Sequence, residues 1–278
     1  GRGFYNSKIN SAAKPFLSPM VELLVARDRA TITAGEFAQQ LDFLRAGDMR
    51  KEFAALNYEN GVKQQHALSL RGNQEKLAWS LATGYDRNVS SLGALDDRLN
   101  ISTRNTLKLN SQLSLDFGAM YTHSKARQGR ADYSDLATSG FLYPYLRLRD
   151  QQGAELVIPR AYSLSYLNSL DRNVFADWNY YPLSDYQNNS IETITNDLVL
   201  QAALNYRFLQ NFNARVFYQH ERQTTTGSAL YGSDSYLARL LYNTYTQVAG
   251  TTVTRIIPAG AVYDTNNSVL TAQNLRAQ

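Results

Sequence analysis

The residue types able to carry out chemistry are few in this sequence, and they are scattered. It has three histidines, His66, His123 and His220, and no cysteine. The histidines lie far apart and have no companions at metal-ligand spacing, so each reads as a solvated strand residue rather than a ligand. Without cysteine, neither a disulfide framework nor a thiolate site can form. Aspartate and glutamate occur singly, and no pair is held together by its spacing. There is no G-x-S-x-G. Gly227, Gly232, Gly250 and Gly260 read as loop glycines, not as a phosphate-cradling turn before a helix. These patterns support no catalytic residue, cofactor or metal site, and the chain reads as a non-enzyme. The residues best suited to binding are aromatic: Tyr143, Tyr145, Trp178, Tyr180 and Tyr181. Each combines a flat apolar face with at most one hydrogen-bonding tip, as recognition of a sugar or peptide requires. The competing role for all five is packing, because a long connection needs apolar contacts to be ordered.

The charge balance points away from nucleic acid. The formal net charge is +4, and lysine and arginine appear singly among acidic and polar residues. Tyrosine is abundant at 19 residues against 11 phenylalanines and 2 tryptophans. No apolar run approaches the roughly 18–20 residues of a membrane helix. The start at Gly1-Arg2-Gly3-Phe4 has no apolar signal segment and no initiator methionine, which suggests a fragment of a longer mature protein.

Elements that would position these residues fall into two groups. Over about the first sixty residues the signals are helical. Ser18-Pro19 suits an N-cap followed by proline at the first helical position. Thr33 and Glu36 form a capping-box pair, Phe37, Leu41 and Leu44 follow at helical spacing, and Gly47 marks a stop. A further short helix is predicted from about Asp48 to Leu56.

Beyond this region the period changes to two. Leu99, Ile101, Thr103, Asn105, Leu107 and Leu109 share one face, and Asn100, Ser102, Arg104, Thr106, Lys108 and Asn110 share the other. After a tight turn at Asn110-Ser111-Gln112 the apolar face continues as Leu113, Leu115, Phe117, Ala119 and Tyr121. A second pair places Leu198, Leu200, Ala202, Leu204, Tyr206 and Phe208 before a turn at Leu209-Gln210-Asn211, with Phe212, Ala214, Val216 and Tyr218 after it. An earlier pair, about Gln64–Arg71 and Leu77–Tyr85, surrounds Gly72-Asn73. A half-buried antiparallel sheet alternates in the same way, so alternation alone does not select a membrane. Two features do. The apolar stretches run about 9–12 residues, enough to cross a bilayer with tilt and longer than an ordinary strand of about 5–6. Short connections also alternate with long ones, the arrangement of periplasmic turns and extracellular loops in outer-membrane barrels. In such a barrel the polar strand face would line the lumen, and the histidines would be lumen-facing or solvated.

The residues also resemble a known family. Val62-Lys63-Gln64-Gln65-His66-Ala67-Leu68-Ser69-Leu70-Arg71-Gly72, then Trp79-Ser80-Leu81-Ala82-Thr83-Gly84-Tyr85-Asp86, resemble the early barrel strands of SusC/RagA transporters, which read Q-x-x-x-L-S-x-x-G-G and then S-x-G-Y. Asn73 replaces the second glycine and still suits a tight turn. Arg98-Leu99-Asn100, Tyr206-Arg207-Phe208-Leu209, Val253-Thr254-Arg255-Ile256-Ile257-Pro258 and the closing Leu270–Gln278 are similar to the same family. The resemblance implies an all-β fold, part of a large antiparallel transmembrane barrel of about 22 strands, with residues 1–62 as a helical extracellular loop region. Residues 63–278 would be barrel strands with long extracellular loops at 126–194 and 224–269. It further implies a bacterial outer-membrane location and import of oligosaccharides or peptides. The partners would be membrane lipid, a SusD-like surface lipoprotein, and TonB through an N-terminal part that is not in this sequence.

Two other classes compete. An outer-membrane barrel enzyme would need a nucleophile and a base near the rim. A soluble β-sandwich of the envelope, structural or adhesive, would fold in plain buffer. A membrane arc with two unpaired edges would aggregate or stay unfolded there.

Overall fold

A computed structural model describes residues 2–138, 140–209 and 212–278. Its first part is helical: α1 (Arg2–Ile9), α2 (Pro19–Asp28), α3 (Ala34–Arg45) and α4 (Met49–Asn57). The starts of α2 to α4 follow from side chains that satisfy otherwise orphaned amides. The Ser18 hydroxyl accepts from Val21 N at 3.4 Å at the head of α2. At α3 the box is reciprocal: Thr33 Oγ1 accepts from Glu36 N at 3.2 Å, and Glu36 Oε2 accepts from Thr33 N at 2.7 Å. Asp48 caps α4 through the amides of Arg50 and Lys51, both at 3.2 Å. Thr33→Ala is expected to destabilise α3 by about 1 kcal/mol. Faster amide exchange confined to the first turn of α3 would register that loss.

Gly47 has a different role from the expected helix stop. Its φ is not positive, and α3 ends on Ala46 in ordinary helical geometry. A Cβ at position 47 would lie 2.6 Å from the Tyr145 carbonyl oxygen and 2.8 Å from Arg147 Cδ. Close approach of a second segment, not a left-handed turn, requires the glycine.

The main sheet has seven strands in the order β1-β2-β3-β4-β5-β6-β9: β1 (Val62–Asn73), β2 (Leu77–Val89), β3 (Leu95–Lys108), β4 (Leu113–Arg127), β5 (Asn189–Leu209), β6 (Phe212–Tyr231) and β9 (Val262–Ala277). Pairing from β1 through β5 is antiparallel throughout. At the last pair, Arg215 and Gln278 exchange both backbone hydrogen bonds at 2.9 Å, the mark of an antiparallel narrow pair. The turn expected at Asn110-Ser111-Gln112 is an Asx turn, with Asn110 Oδ1 accepting from Gln112 N at 2.8 Å and Leu113 N at 2.9 Å. Of the other tight turn, Gln210 and Asn211 lie outside the described residues.

Pairing continues past the ends that the apolar pattern suggests. The stretch expected to be loop from 126 to 194 already contains β5 from Asn189, paired from Arg127↔Glu192 onward. The second, from 224 to 269, loses residues to β6, which runs to Tyr231, and to β9, which starts at Val262. Backbone pairing does not depend on apolar side chains. Here polar ones bridge instead: Thr195 and Thr225 hydroxyls lie 3.2 Å apart, and Gly227 N donates to Asn266 Oδ1 at 3.0 Å. Alternation reports burial of one face, so it falls silent where both faces are polar.

The chain divides into two compact units. The first comprises residues 1–59, 130–190 and 230–263 and holds α1 to α4, a short α5 (Leu164–Leu167), α6 (Tyr236–Thr244) and the hairpin β7 (Thr246–Ala249) with β8 (Thr252–Arg255). It has a true core, including Val21, Met49, Phe53, Leu136, Leu148 and Ile158. Buried polar side chains stitch its segments together. Asn243 on α6 accepts from Ala176 N at 2.8 Å and donates to Ala176 O at 2.9 Å. The second unit comprises residues 60–129, 191–229 and 264–278 and is the sheet. Among its described residues, Ala203 is the one buried hydrophobic residue.

Candidate functional site

Register sorts the sheet side chains onto two chemically distinct faces. On one face, a row crossing five strands reads Leu70↔Leu81↔Thr103↔Ala119↔Leu200, and an adjacent row reads Leu68↔Thr83↔Ile101↔Tyr121↔Leu198. This face is bare: Leu68 is 58% exposed, Leu200 44% and Val216 49%. Its aromatic residues collect toward the two ends of the strands. At the short-turn end Tyr206 stacks on Phe208 at 6.1 Å, and Phe208 meets Phe212 at 5.6 Å. Trp79 lies over Gly72, where a Cβ would meet the indole at 2.5 Å. Toward the long-connection end two tyrosines point their hydroxyls to polar groups one row further on. Tyr85 donates to Asp97 Oδ1 at 3.0 Å, and Tyr121 donates to Asn196 Oδ1 at 2.9 Å.

The histidines, expected to be solvated or lumen-facing, lie on the apolar face of the sheet. His66 pairs with Tyr85, and His123 pairs with Leu99 and Asn196, so both belong to the apolar face. His220 alternates with Tyr218 and Val216 on that same face. His123 Nδ1 lies 2.8 Å from Asn196 Oδ1, so a neutral amide partners the ring. No group of three His, Cys, Asp or Glu side chains suited to a metal ion occurs among the described residues.

The other face is polar and basic near the short turns. A hollow of about 620 Å³ is lined there by Arg71, Ser80, Arg104, Asp116, Gln201 and Arg215. Asp116 is already engaged, accepting from the Thr106 hydroxyl at 2.8 Å and Asn205 Nδ2 at 2.9 Å. Three guanidinium groups with a single carboxylate could hold an anionic or strongly polar chain segment. No local pattern announces this cluster, because its residues come from β1 to β6 and only register brings them together.

Of the five aromatic candidates, the structure makes two separate groups. Tyr143 packs 5.8 Å from Tyr145 and 6.1 Å from Phe16, and both tyrosines are half-buried. Burial pushes the Tyr143 phenol above its ordinary range, with Tyr145 and Tyr5 adding to the shift. Trp178, Tyr180 and Tyr181 form the second group. Trp178 is buried, edge-on to Tyr162 at 5.2 Å and tilted against Phe175 at 6.2 Å. Tyr180 is closed off by the Arg160 guanidinium, 3.6 Å above its ring, and by Tyr236 at 5.4 Å. Desolvation raises the phenols of Tyr180 and Tyr236, and the positive charge of Arg160 opposes it. Tyr181 donates to Asp177 Oδ2 at 2.7 Å, and its half-buried ring lies 5.7 Å from the Arg239 guanidinium. Among the described residues no ring contact joins the two groups.

Beside Trp178 is a hollow of about 200 Å³ lined by Asn168, Asp171, Arg172, Phe175 and Asp177. Aromatic faces mixed with amide, carboxylate and guanidinium groups match a hydroxyl-bearing ring, and the volume suits one such ring rather than a drug-sized ligand. Only Trp178 of this set stood out by residue type. Its polar neighbours Asn168, Asp171, Arg172 and Asp177 are exposed and resemble any solvated loop in sequence. No protein-family model matches the chain, and no curated protein matches its sequence.

Proposed function

We propose that this chain is part of a transmembrane β-barrel in a bacterial outer membrane and belongs to a TonB-dependent importer of oligosaccharides or peptides. The observation that carries the reading is the bare apolar face of a seven-stranded sheet whose described residues include one buried hydrophobic side chain, Ala203. Water does not tolerate so continuous an apolar surface, and lipid does. The dimensions agree. The apolar stretch of β4, Leu113 to Tyr121, spans about 26 Å at about 3.3 Å per residue, or about 20 Å in height when tilted by about 40°. Tyrosines that lean toward the polar end suit a membrane interface, where the ring sits in hydrocarbon and the hydroxyl meets water.

The basic polar face would line the lumen, and β1 and β9, the two edge strands, would pair with strands elsewhere in the parent protein. The loop unit would face the cell exterior, take substrate beside Trp178 and Phe175, and meet a SusD-like lipoprotein. TonB would act through the part of the parent protein that carries the plug.

This sequence holds no cysteine, so once any cysteine elsewhere in the parent protein is replaced, single introduced thiols test the membrane reading. Leu81→Cys and Leu200→Cys would each be made in the parent protein, labelled with an environment-sensitive fluorophore, and studied in outer-membrane vesicles. Nitroxide-bearing lipids are expected to quench both labels and to leave a Ser102→Cys label, on the opposite face, bright. Equal quenching on the two faces, or none, would favour the soluble β-sandwich instead.

A further inference from the structure

The apolar face does not stay apolar to the ends of its strands. One row beyond Tyr85, Leu99, His123 and Asn196, the register reads Arg87↔Asp97↔Lys125↔Ile194. One row further, Arg127 pairs with Glu192. A charged belt therefore follows the tyrosine row on the side that, in the membrane reading, meets lipid.

The charges of this belt do not cancel. Arg87 lies 4.0 Å from Asp97, while Lys125 and Arg127 both reach Glu192 Oε2, at 2.9 Å and 3.1 Å. One carboxylate shared between two cations leaves a positive charge over. The guanidinium-bearing side chains stay available: Arg87 is 50% exposed and Arg127 55%. Surface ion pairs of this kind are weak and exchange readily for a better anion. The anion found at this depth, just past the hydrocarbon edge, is the phosphate of a lipid headgroup.

We propose that Arg87, Lys125 and Arg127 form a binding belt for phosphate-bearing lipid headgroups in the membrane leaflet that faces the long-connection end of the strands. The proposal rests on the membrane reading above. Arginine offers forked donors to phosphate oxygens, lysine adds a point charge, and Tyr85 and Tyr121 hold the neighbouring carboxylate and amide in place. The belt would set the vertical position of the barrel and retain an annulus of anionic lipid around this arc.

The test uses the parent protein in phosphatidylcholine nanodiscs doped with a bis-phosphorylated glycolipid or with its enzymatically dephosphorylated form. Retained glycolipid is counted by native mass spectrometry. Wild type is expected to retain the phosphorylated form selectively. Each of Arg87→Gln, Lys125→Gln and Arg127→Gln should weaken retention by about fivefold, and added salt should weaken it further. Excess inorganic phosphate should not displace the lipid; complete displacement would make this a free-phosphate site and overturn the assignment. Equal retention of the two glycolipids, or unchanged retention in the variants, would also overturn it while leaving the membrane reading intact. Failure of the folded protein to enter nanodiscs would remove both.

Discussion

Leu200→Arg is expected to lower the stability of the parent protein by about 2–4 kcal/mol in a bilayer, the range for a cation placed near the midplane on the lipid face of a barrel. Leu200 lies mid-strand on β5, paired with Ala119, and is 44% exposed in the isolated chain. That exposure makes the result diagnostic. At a water-exposed position of a soluble protein the same substitution would change stability by only about 0.5 kcal/mol in either direction. Urea titration in lipid vesicles, followed by tryptophan fluorescence, separates the two outcomes. Ser102→Arg, on the opposite face, serves as the reference and should move the midpoint far less. A shift of the same small size for both variants would contradict the membrane assignment of the apolar face.

The second large effect belongs to the loop unit. Phe53→Ala is expected to cost about 3–5 kcal/mol, the range for truncating a buried aromatic. Phe53 is 2% exposed and lies edge-on to Tyr58 at 5.4 Å and to Tyr133 at 5.3 Å. Tyr133 comes from a segment far along the chain, so one ring joins α4 to the first long connection. The adjacent Glu52 reinforces the joint: its carboxylate accepts from Arg147 Nε at 2.8 Å and from the amides of Leu148 and Arg149 at 2.9 Å. Because the core of this unit is its own, the loss should appear as local opening. Hydrogen exchange should accelerate across 49–57 and 130–150, while protection in β1 to β4 is retained. Uniform acceleration through the sheet would instead show that the two units unfold as one.

Much of this architecture was legible from sequence because its determinants are local. A cap needs only a hydroxyl or carboxylate within three residues of an orphan amide, so Ser18 and Thr33 with Glu36 marked their helices correctly. A one-sided strand declares itself through a period of two, so β1 to β6 were readable wherever one face is apolar. Asn110 closes its turn through its own neighbours and was equally plain.

Other features depended on partners distant in the chain, and only the tertiary structure decided them. Gly47 is a glycine because the Tyr145 backbone passes beside it, not because a helix must stop. His66 and His123 belong to the apolar face because register, which no single strand specifies, aligns them with Tyr85 and Leu99. The outer parts of β5, β6 and β9 pair through backbone and polar side chains, so no apolar pattern announced them. Among the aromatic candidates, residue type could not separate Tyr180, enclosed by Arg160 and Tyr236, from the half-buried Tyr143 and Tyr145. The basic hollow and the charged belt likewise draw single residues from many strands. Local sequence determines which backbone shape a segment adopts, because caps, turns and periodicity act over a few residues. Which side chains meet is decided by pairing and packing between segments a hundred residues apart, and the chemistry of this protein resides there.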